Sequence, residues 1–194
     1  MPILCRVTRG DLTESIHVVF AVAVDETGTV FYSTGDPYYL TCIRSSLKPF
    51  QAAAAVKAGA VDAAGFSDDE LAMMCASHNG EDIHVKTVQS MLNKLGLSTA
   101  DLECGSHFPS DKITRHKMIK EGKAAESIHN NCSGKHAGML ALAKHLGLGI
   151  NGYIQKEHPV QKEIFNLVHE LTGLENIPTE TDGCSAPTPF MTLE

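Results

Sequence analysis

The sequence has no Cys-x-x-Cys pair, no apolar run of membrane-spanning length and no surplus of positive charge. Its six cysteines, at 5, 42, 75, 104, 132 and 184, are scattered, which excludes the closed four-ligand spacing of a structural zinc module. A membrane helix needs about 20 apolar residues, so no membrane span is expected. Lys plus Arg number 16 against 23 Asp plus Glu, a net charge of −7 that argues against nucleic acid or an anionic membrane as partner. A small-molecule substrate suits this balance. The opening residues Met1-Pro2-Ile3-Leu4-Cys5-Arg6 lack an apolar signal region and a small-residue cleavage site. A cytoplasmic, reducing setting is therefore expected, with free thiols or metal ligands rather than a disulfide framework. Repeats, low-complexity tracts and interdomain linkers are also missing. The 194 residues, 43% hydrophobic, suit a single domain over 1–194, or a large piece of a longer protein.

The pattern of apolar residues predicts strands first and helices after. Residues 16–24, β-branched and apolar, read as one buried strand, turned at Asp25–Gly28 into a return strand over 29–33. The Ala-rich stretch 50–60 reads as a buried helix stopping near Gly59 or Gly65. Ser67-Asp68-Asp69-Glu70 caps a helix that is expected to run on to His78, where Asn79-Gly80 ends it. Helices follow over 82–95, 112–121, 134–146 and 159–172, with loop over 98–111 and a turn-rich stretch at 181–187. His145 and His169 are expected on the outer faces of amphipathic helices. A lone hairpin cannot cover so many helices, so further strands are expected from elsewhere.

Chemistry concentrates in five segments. The densest, His129-Asn130-Asn131-Cys132-Ser133-Gly134-Lys135-His136, gathers a thiol, a hydroxyl, an amine, two amides and two imidazoles at the start of an apolar helical run. In Arg44-Ser45-Ser46-Leu47-Lys48-Pro49, a serine hydroxyl needs a base, and helical spacing puts Lys48 one turn from Ser45. A neutral Lys48 would serve, its charge suppressed by burial or by a cation such as Arg44. A capping serine beside a surface lysine is the plainer reading, and Pro49 disfavours helical geometry at Lys48. In Cys75-Ala76-Ser77-His78, Ser77 offers a second hydroxyl and His78 a donor to substrate; a histidine complementing a helix C-terminus is the plainer alternative. Cys132, Lys135 and the distant Cys184 would give zinc two sulfurs and a nitrogen, although lysine is an unusual ligand and a buried cysteine is the commoner role. Cys132 could instead be a nucleophile, with His129 or His136 as its base. Asp182, before Gly183, could hold a substrate ammonium or simply make a turn. In the loop Cys104–Asp111, His107 is placed to support a site rather than to react.

Taken in order, Arg44–Gln51, Cys75-Ala76-Ser77-His78, Cys104-Gly105-x-His107-x-Pro109-x-Asp111, Asn131–Met139 and Asp182-Gly183-Cys184 resemble the L-asparaginase II family of the Rhizobium etli, or thermolabile, type. The resemblance implies an α/β (α+β) fold like that of serine β-lactamases, penicillin-binding proteins and glutaminases: an antiparallel sheet with packed helices, incomplete in this chain. It implies hydrolysis of L-asparagine to L-aspartate and ammonia through two Ser–Lys pairs. Ser45 and Lys48 form the first pair, Ser77 opens the second, and the second lysine lies beyond residue 194, making these residues the N-terminal portion of a longer hydrolase. It also implies zinc on Cys132, Lys135 and Cys184, in support of substrate binding, and a homodimer. Arg44, His78 and Asp182 are the expected substrate contacts. A non-catalytic zinc-binding or assembly module, and a Cys- or zinc-dependent amidase, are the competing expectations.

Overall fold

The computed structural model describes residues 2–194 and divides the chain into two compact units, one of Met1–Ile43 with Pro189–Glu194, the other Arg44–Thr188. In the first unit, β1 (Ile3–Arg9) pairs antiparallel with β2 (Leu12–Val19), and β3 (Ala21–Val24) with β4 (Val30–Thr34). A short β5 (Thr41–Cys42) pairs antiparallel with the end of β7 (Pro187–Met191). The strand expected over 16–24 is thus broken at Phe20, whose ring stacks on Tyr39 at 4.8 Å. Nor is it buried: every residue of β2 is exposed. A two-stranded ribbon has no second layer of its own, so β-branched residues can pair along it without forming a core. β1, unread in the sequence, is the partner that splits the predicted strand.

The second unit is helical. Arg44–Leu47 forms a 3-10 turn that runs into α1 (Lys48–Lys57), followed by α2 (Ala60–Ala63), α3 (Asp68–Cys75), α4 (Asp82–Leu95), α5 (Lys112–Lys120), α6 (Ser133–His145) and α7 (Pro159–Thr172). β6 (Thr179–Thr181) then leads into a turn over 182–186. Pro49 falls in the first turn of α1, where a missing N–H costs nothing, so Lys48 is helical after all. Ser67 caps α3 reciprocally with Glu70, as their spacing predicts.

The centre of this unit is α6, in contact with α1, α2, α3, α4 and α7. All of Ser133–Ala143 is buried, so this helix is not amphipathic; His145, beyond that stretch, is exposed. Leu140, Leu142, Val88, Met91, Leu92 and Ile164 are among the fully enclosed core side chains, each contributing about 1.5–3 kcal/mol through burial. A glycine stripe sets how closely the helices approach. A Cβ on Gly134 would lie 2.3 Å from the Met73 carbonyl oxygen, and one on Gly138 2.6 Å from Met74 Cε. The end of α3 is thereby pressed onto the start of α6, which brings Ser77 and Cys132 into one neighbourhood.

Candidate active site

α3 ends at Cys75, three residues short of the His78 expected from the sequence, because its last turn has better partners elsewhere. Ala76 is extended (φ −78°, ψ 151°), and its carbonyl accepts from Lys48 Nζ at 2.6 Å. The His78 backbone N–H donates to Asn131 O at 3.1 Å. Successive side chains of an extended segment point to opposite sides: Ser77 is exposed and His78 is buried.

Ser77 stands between the two residues of the Ser45-x-x-Lys48 motif. Lys48 Nζ donates to Ser77 Oγ at 2.8 Å, and Ser77 Oγ donates to Ser45 Oγ at 3.1 Å. The pairing expected directly between Ser45 and Lys48 therefore runs through a second hydroxyl. Lys48 is enclosed, with only 2% of its surface exposed, whereas Ser45 opens to solvent. Arg44, just before Ser45, sits at φ +50°, a left-handed conformation that costs a side-chain-bearing residue about 1–2 kcal/mol. Its side chain is exposed beside the Ser45 hydroxyl-bearing turn.

A second cluster adjoins the first. Lys48 lies close enough to Cys132 to stabilise its thiolate, and Cys132 shares a hydrogen bond with Cys184. Lys135 Nζ donates to Cys184 Sγ at 2.8 Å and to Asp182 Oδ2 at 3.1 Å. The Cys184 hydrogen bond, aided by the Lys135 and Lys48 charges against the effect of burial, lowers Cys132 to about 6. The same shared hydrogen bond, with burial, raises Cys184. Physically, the two sulfurs share one negative charge. Burial opposes the Lys135 charge, but Cys184 and Asp182 outweigh it and hold the ammonium above its usual range. Asp182 is likewise opposed by burial, yet Lys135 and the backbone donors of its own turn keep it ionised. Its Oδ1 accepts from the Cys184 and Ala186 N–H groups at 2.9 and 3.0 Å, so this carboxylate closes the 182–186 turn while pairing with Lys135.

Three candidate histidines lie behind this surface. His78 is buried, and both ring nitrogens are engaged: Nδ1 accepts from Gly80 N–H at 3.1 Å and Nε2 lies 2.8 Å from Ser133 Oγ. Burial first, then the charges of His84 and Lys48, lowers its pKa to about 4, so the ring is neutral. His107 accepts the Asn131 N–H at 3.2 Å, bracing the same loop. His136 is enclosed against the Tyr153 hydroxyl at 2.7 Å, and burial pushes it well below its usual value. Nothing in the sequence singles out Ser133, the Ala76 carbonyl or the Asn131 carbonyl for these roles. Backbone carbonyls leave no trace in residue identity, and Ser133 is one serine in a crowded motif.

The sulfurs of Cys132 and Cys184 and the amine of Lys135 form a donor set of the softness zinc prefers, with Asp182 against both Lys135 and Cys184. No group of three His, Cys, Asp or Glu side chains among the described residues is arranged to hold a metal, so any such site depends on lysine as a ligand.

The sequence profile of the family described as L-asparaginase II matches residues 5–194. The chain belongs to the L-asparaginase II family. The expected resemblance thus holds at the level of the family, and with it the general chemistry of an asparagine amidohydrolase with an amino-acid substrate. The family is of the serine β-lactamase-like type, in keeping with the seven helices and small antiparallel sheets of the described residues. No curated protein matches the chain. None of the helices among the described residues is long and apolar enough to cross a membrane.

Proposed function

We propose that this chain carries the nucleophile of an L-asparaginase that works through an acyl-enzyme on Ser45, with Ser77 relaying protons to and from Lys48. The observation that supports this reading is the Ser45–Ser77–Lys48 string, at 3.1 and 2.8 Å, anchored by the Ala76 carbonyl. In the resting polarity Lys48 donates; attack needs the reverse. With Lys48 neutral, the Ser45 hydrogen passes to Ser77 Oγ as the Ser77 hydrogen passes to Lys48 Nζ. Ser45 Oγ then bonds to the side-chain amide carbon of asparagine. The Lys48 proton returns through Ser77 to the amide nitrogen, the C–N bond breaks and ammonia leaves. A water, deprotonated by the same relay, attacks the ester carbon; the proton passes back through Ser77 to Ser45 Oγ as the C–O bond breaks, freeing aspartate. Positioned general acid–base groups of this kind contribute about 10²–10⁴ in rate. Arg44 is assigned to the substrate α-carboxylate and Asp182 to the α-ammonium.

Cys132, Lys135 and Cys184 would hold zinc, which when bound supplies a fixed positive charge beside the substrate. The chain's part in this is a Cys132 thiolate sharing a hydrogen bond with the Cys184 thiol, and the Lys135 ammonium, the last two of which would give up their protons to the metal. The same reading assigns the protein to the thermolabile type, to a homodimer and to a reducing, cytoplasmic compartment.

The test uses the full-length protein. Ser45→Ala is expected to abolish ammonia release, and wild type quenched during turnover is expected to carry an aspartyl group on Ser45 by peptide mass spectrometry. Full activity in Ser45→Ala defeats the reading. The depressed Cys132 favours one competitor, a thiolate nucleophile. That competitor requires Cys132→Ala to lose turnover at saturating substrate, whereas the Ser45 reading requires it mainly to weaken substrate binding.

A further inference from the structure

The hydrogen bonds behind Ser77 have a definite direction. His78 Nδ1 accepts from the Gly80 N–H, so in the neutral ring the hydrogen sits on Nε2. That hydrogen is donated to Ser133 Oγ at 2.8 Å, and Ser133 Oγ in turn donates to Ile128 O at 3.0 Å. His78 is 4% exposed and Ser133 fully enclosed, so water cannot replace either bond. The main chain is fixed alongside them. Ala76 O is taken by Lys48, the His78 N–H by Asn131 O, and Asn79 O by the Asp111 N–H at 3.0 Å. His84 stacks on the His78 ring, with centroids 5.3 Å apart.

Ser77 itself is exposed, and on the buried side its hydroxyl is met by Lys48. That hydroxyl must meet an oxygen at 3.1 Å and a nitrogen at 2.8 Å at once. We infer that Ser133 is a positioning residue of the proton relay: through the His78 ring it sets the extended segment 76–80, and so places Ser77 Oγ between Ser45 and Lys48. His78, expected from the sequence to touch substrate, acts here as the strut between Ser133 and the relay. The strut begins on the first residue of α6, and the next residue, Gly134, is the one pressed onto the Met73 carbonyl. Helix packing and relay geometry therefore share one contact region. Removing the Ser133 hydroxyl leaves the His78 Nε2 hydrogen enclosed and unpaired, and the segment moves to relieve it.

This inference rests on the Ser45–Ser77–Lys48 reading, and the experiment separates the two. In the full-length protein, Ser133→Ala is expected to lower kcat about 10- to 100-fold, the loss that a displacement near 1 Å produces, with KM unchanged. Ser133→Cys keeps a weak donor and acceptor in nearly the same volume and is expected to recover part of that kcat. Wild-type kcat in Ser133→Ala, a loss expressed in KM instead, or no recovery in Ser133→Cys overturns the positioning role. If Ser133→Ala does not fold, Ser133→Gly, which also removes the hydroxyl, is read in its place: a reduced kcat at unchanged KM supports the role, and a wild-type kcat overturns it. Ser45→Ala, measured in parallel, reports on the underlying reading alone. Ammonia release in that variant removes the relay itself, whereas an inactive Ser45→Ala beside a fully active Ser133→Ala removes only the strut.

Discussion

Gly134 on α6 faces the main-chain carbonyl of Met73 on α3 so closely that a Cβ at position 134 would lie 2.3 Å from its oxygen. Backbone cannot swing aside as a side-chain tip can. Gly134→Ala gains up to about 1 kcal/mol in helix propensity, but overpacking against a fixed carbonyl costs about 1–3 kcal/mol or more. The variant is expected to be less stable than wild type by about 1–2 kcal/mol in urea unfolding, and less active, since α3 delivers Ser77. Gly138→Ala meets the flexible thioether end of Met74 and is expected to lie nearer neutral. Equal stability of Gly134→Ala and wild type, with Gly138→Ala the worse of the two, would contradict this packing.

Lys48 touches Ser77 and Ala76 rather than Ser45, so the relay predicts a particular order of losses. Ser77→Ala keeps both end groups and removes the bridge. Its kcat is expected to fall by about 10²–10⁴, approaching that of Lys48→Met. Lys48→Arg keeps charge and donors, but a guanidinium does not give up its proton at accessible pH, so it is expected to be as inactive as Lys48→Met. Steady-state ammonia release in the full-length protein measures all three. A nearly active Ser77→Ala would mean that the lysine reaches Ser45 without it.

Much of the helical unit was legible because its signals are local. The Ser67–Glu70 capping box, the Gly96 and Gly173 stops, and Pro159 at the start of α7 are each set by residues within a turn of one another. What escaped the sequence depends on distant partners. The early end of α3 follows from Lys48, 28 residues back in the chain, claiming the Ala76 carbonyl. The break at Phe20 follows from β1, whose mixed residues Ile3–Arg9 carry no clean alternation. The all-round burial of α6 needs five surrounding helices, which no periodicity within Ser133–Ala143 can announce. Of the candidate residues, Ser45, Lys48 and Ser77 come together in one string, and Cys132, Lys135, Asp182 and Cys184 in an adjoining one. His78 lies behind them, for the long-range reason that Ser133 and Gly80 engage both of its nitrogens.

Asp182 touches both Lys135 and Cys184 and fixes the turn that carries Cys184. Asp182→Asn keeps the size and one acceptor oxygen but loses the charge that orients the donor set. Supporting contacts of this kind are worth about 10- to 100-fold in metal affinity. Zinc affinity of the full-length protein, measured by competition with a chelating dye, is expected to fall by about that factor. Cys184→Ser is expected to fall further, since it replaces a ligand atom. Unchanged zinc affinity in Cys184→Ser would remove these residues from any metal site.

The buried imidazoles predict how stability responds to acid. His78 is held at about 4 in the folded chain, by burial and by neighbouring positive charge, against about 6.5 when unfolded. Between those values the unfolded chain takes up a proton that the folded chain refuses, so stability falls as pH drops from about 6.5 to about 4. The gap corresponds to about 3 kcal/mol for His78, and His136, pushed down by burial, acts in the same direction. Glu70 and Asp182 are both lowered, so their contributions begin to be lost as pH falls to the ordinary carboxylate range, at the acid end of this window, and add to the same decline. The Cys132 thiolate adds stability as pH rises through about 6 towards 9, which places most of its effect above the same window. Urea unfolding of the metal-free protein at pH 6.5, 5.5 and 4.5 is expected to show a steady decline. In His78→Gln the slope should be shallower by about one proton. A stability that stays level or rises on acidification over that range would mean that His78 is charged in the folded protein, and the neutral strut to Ser133 would fail with it.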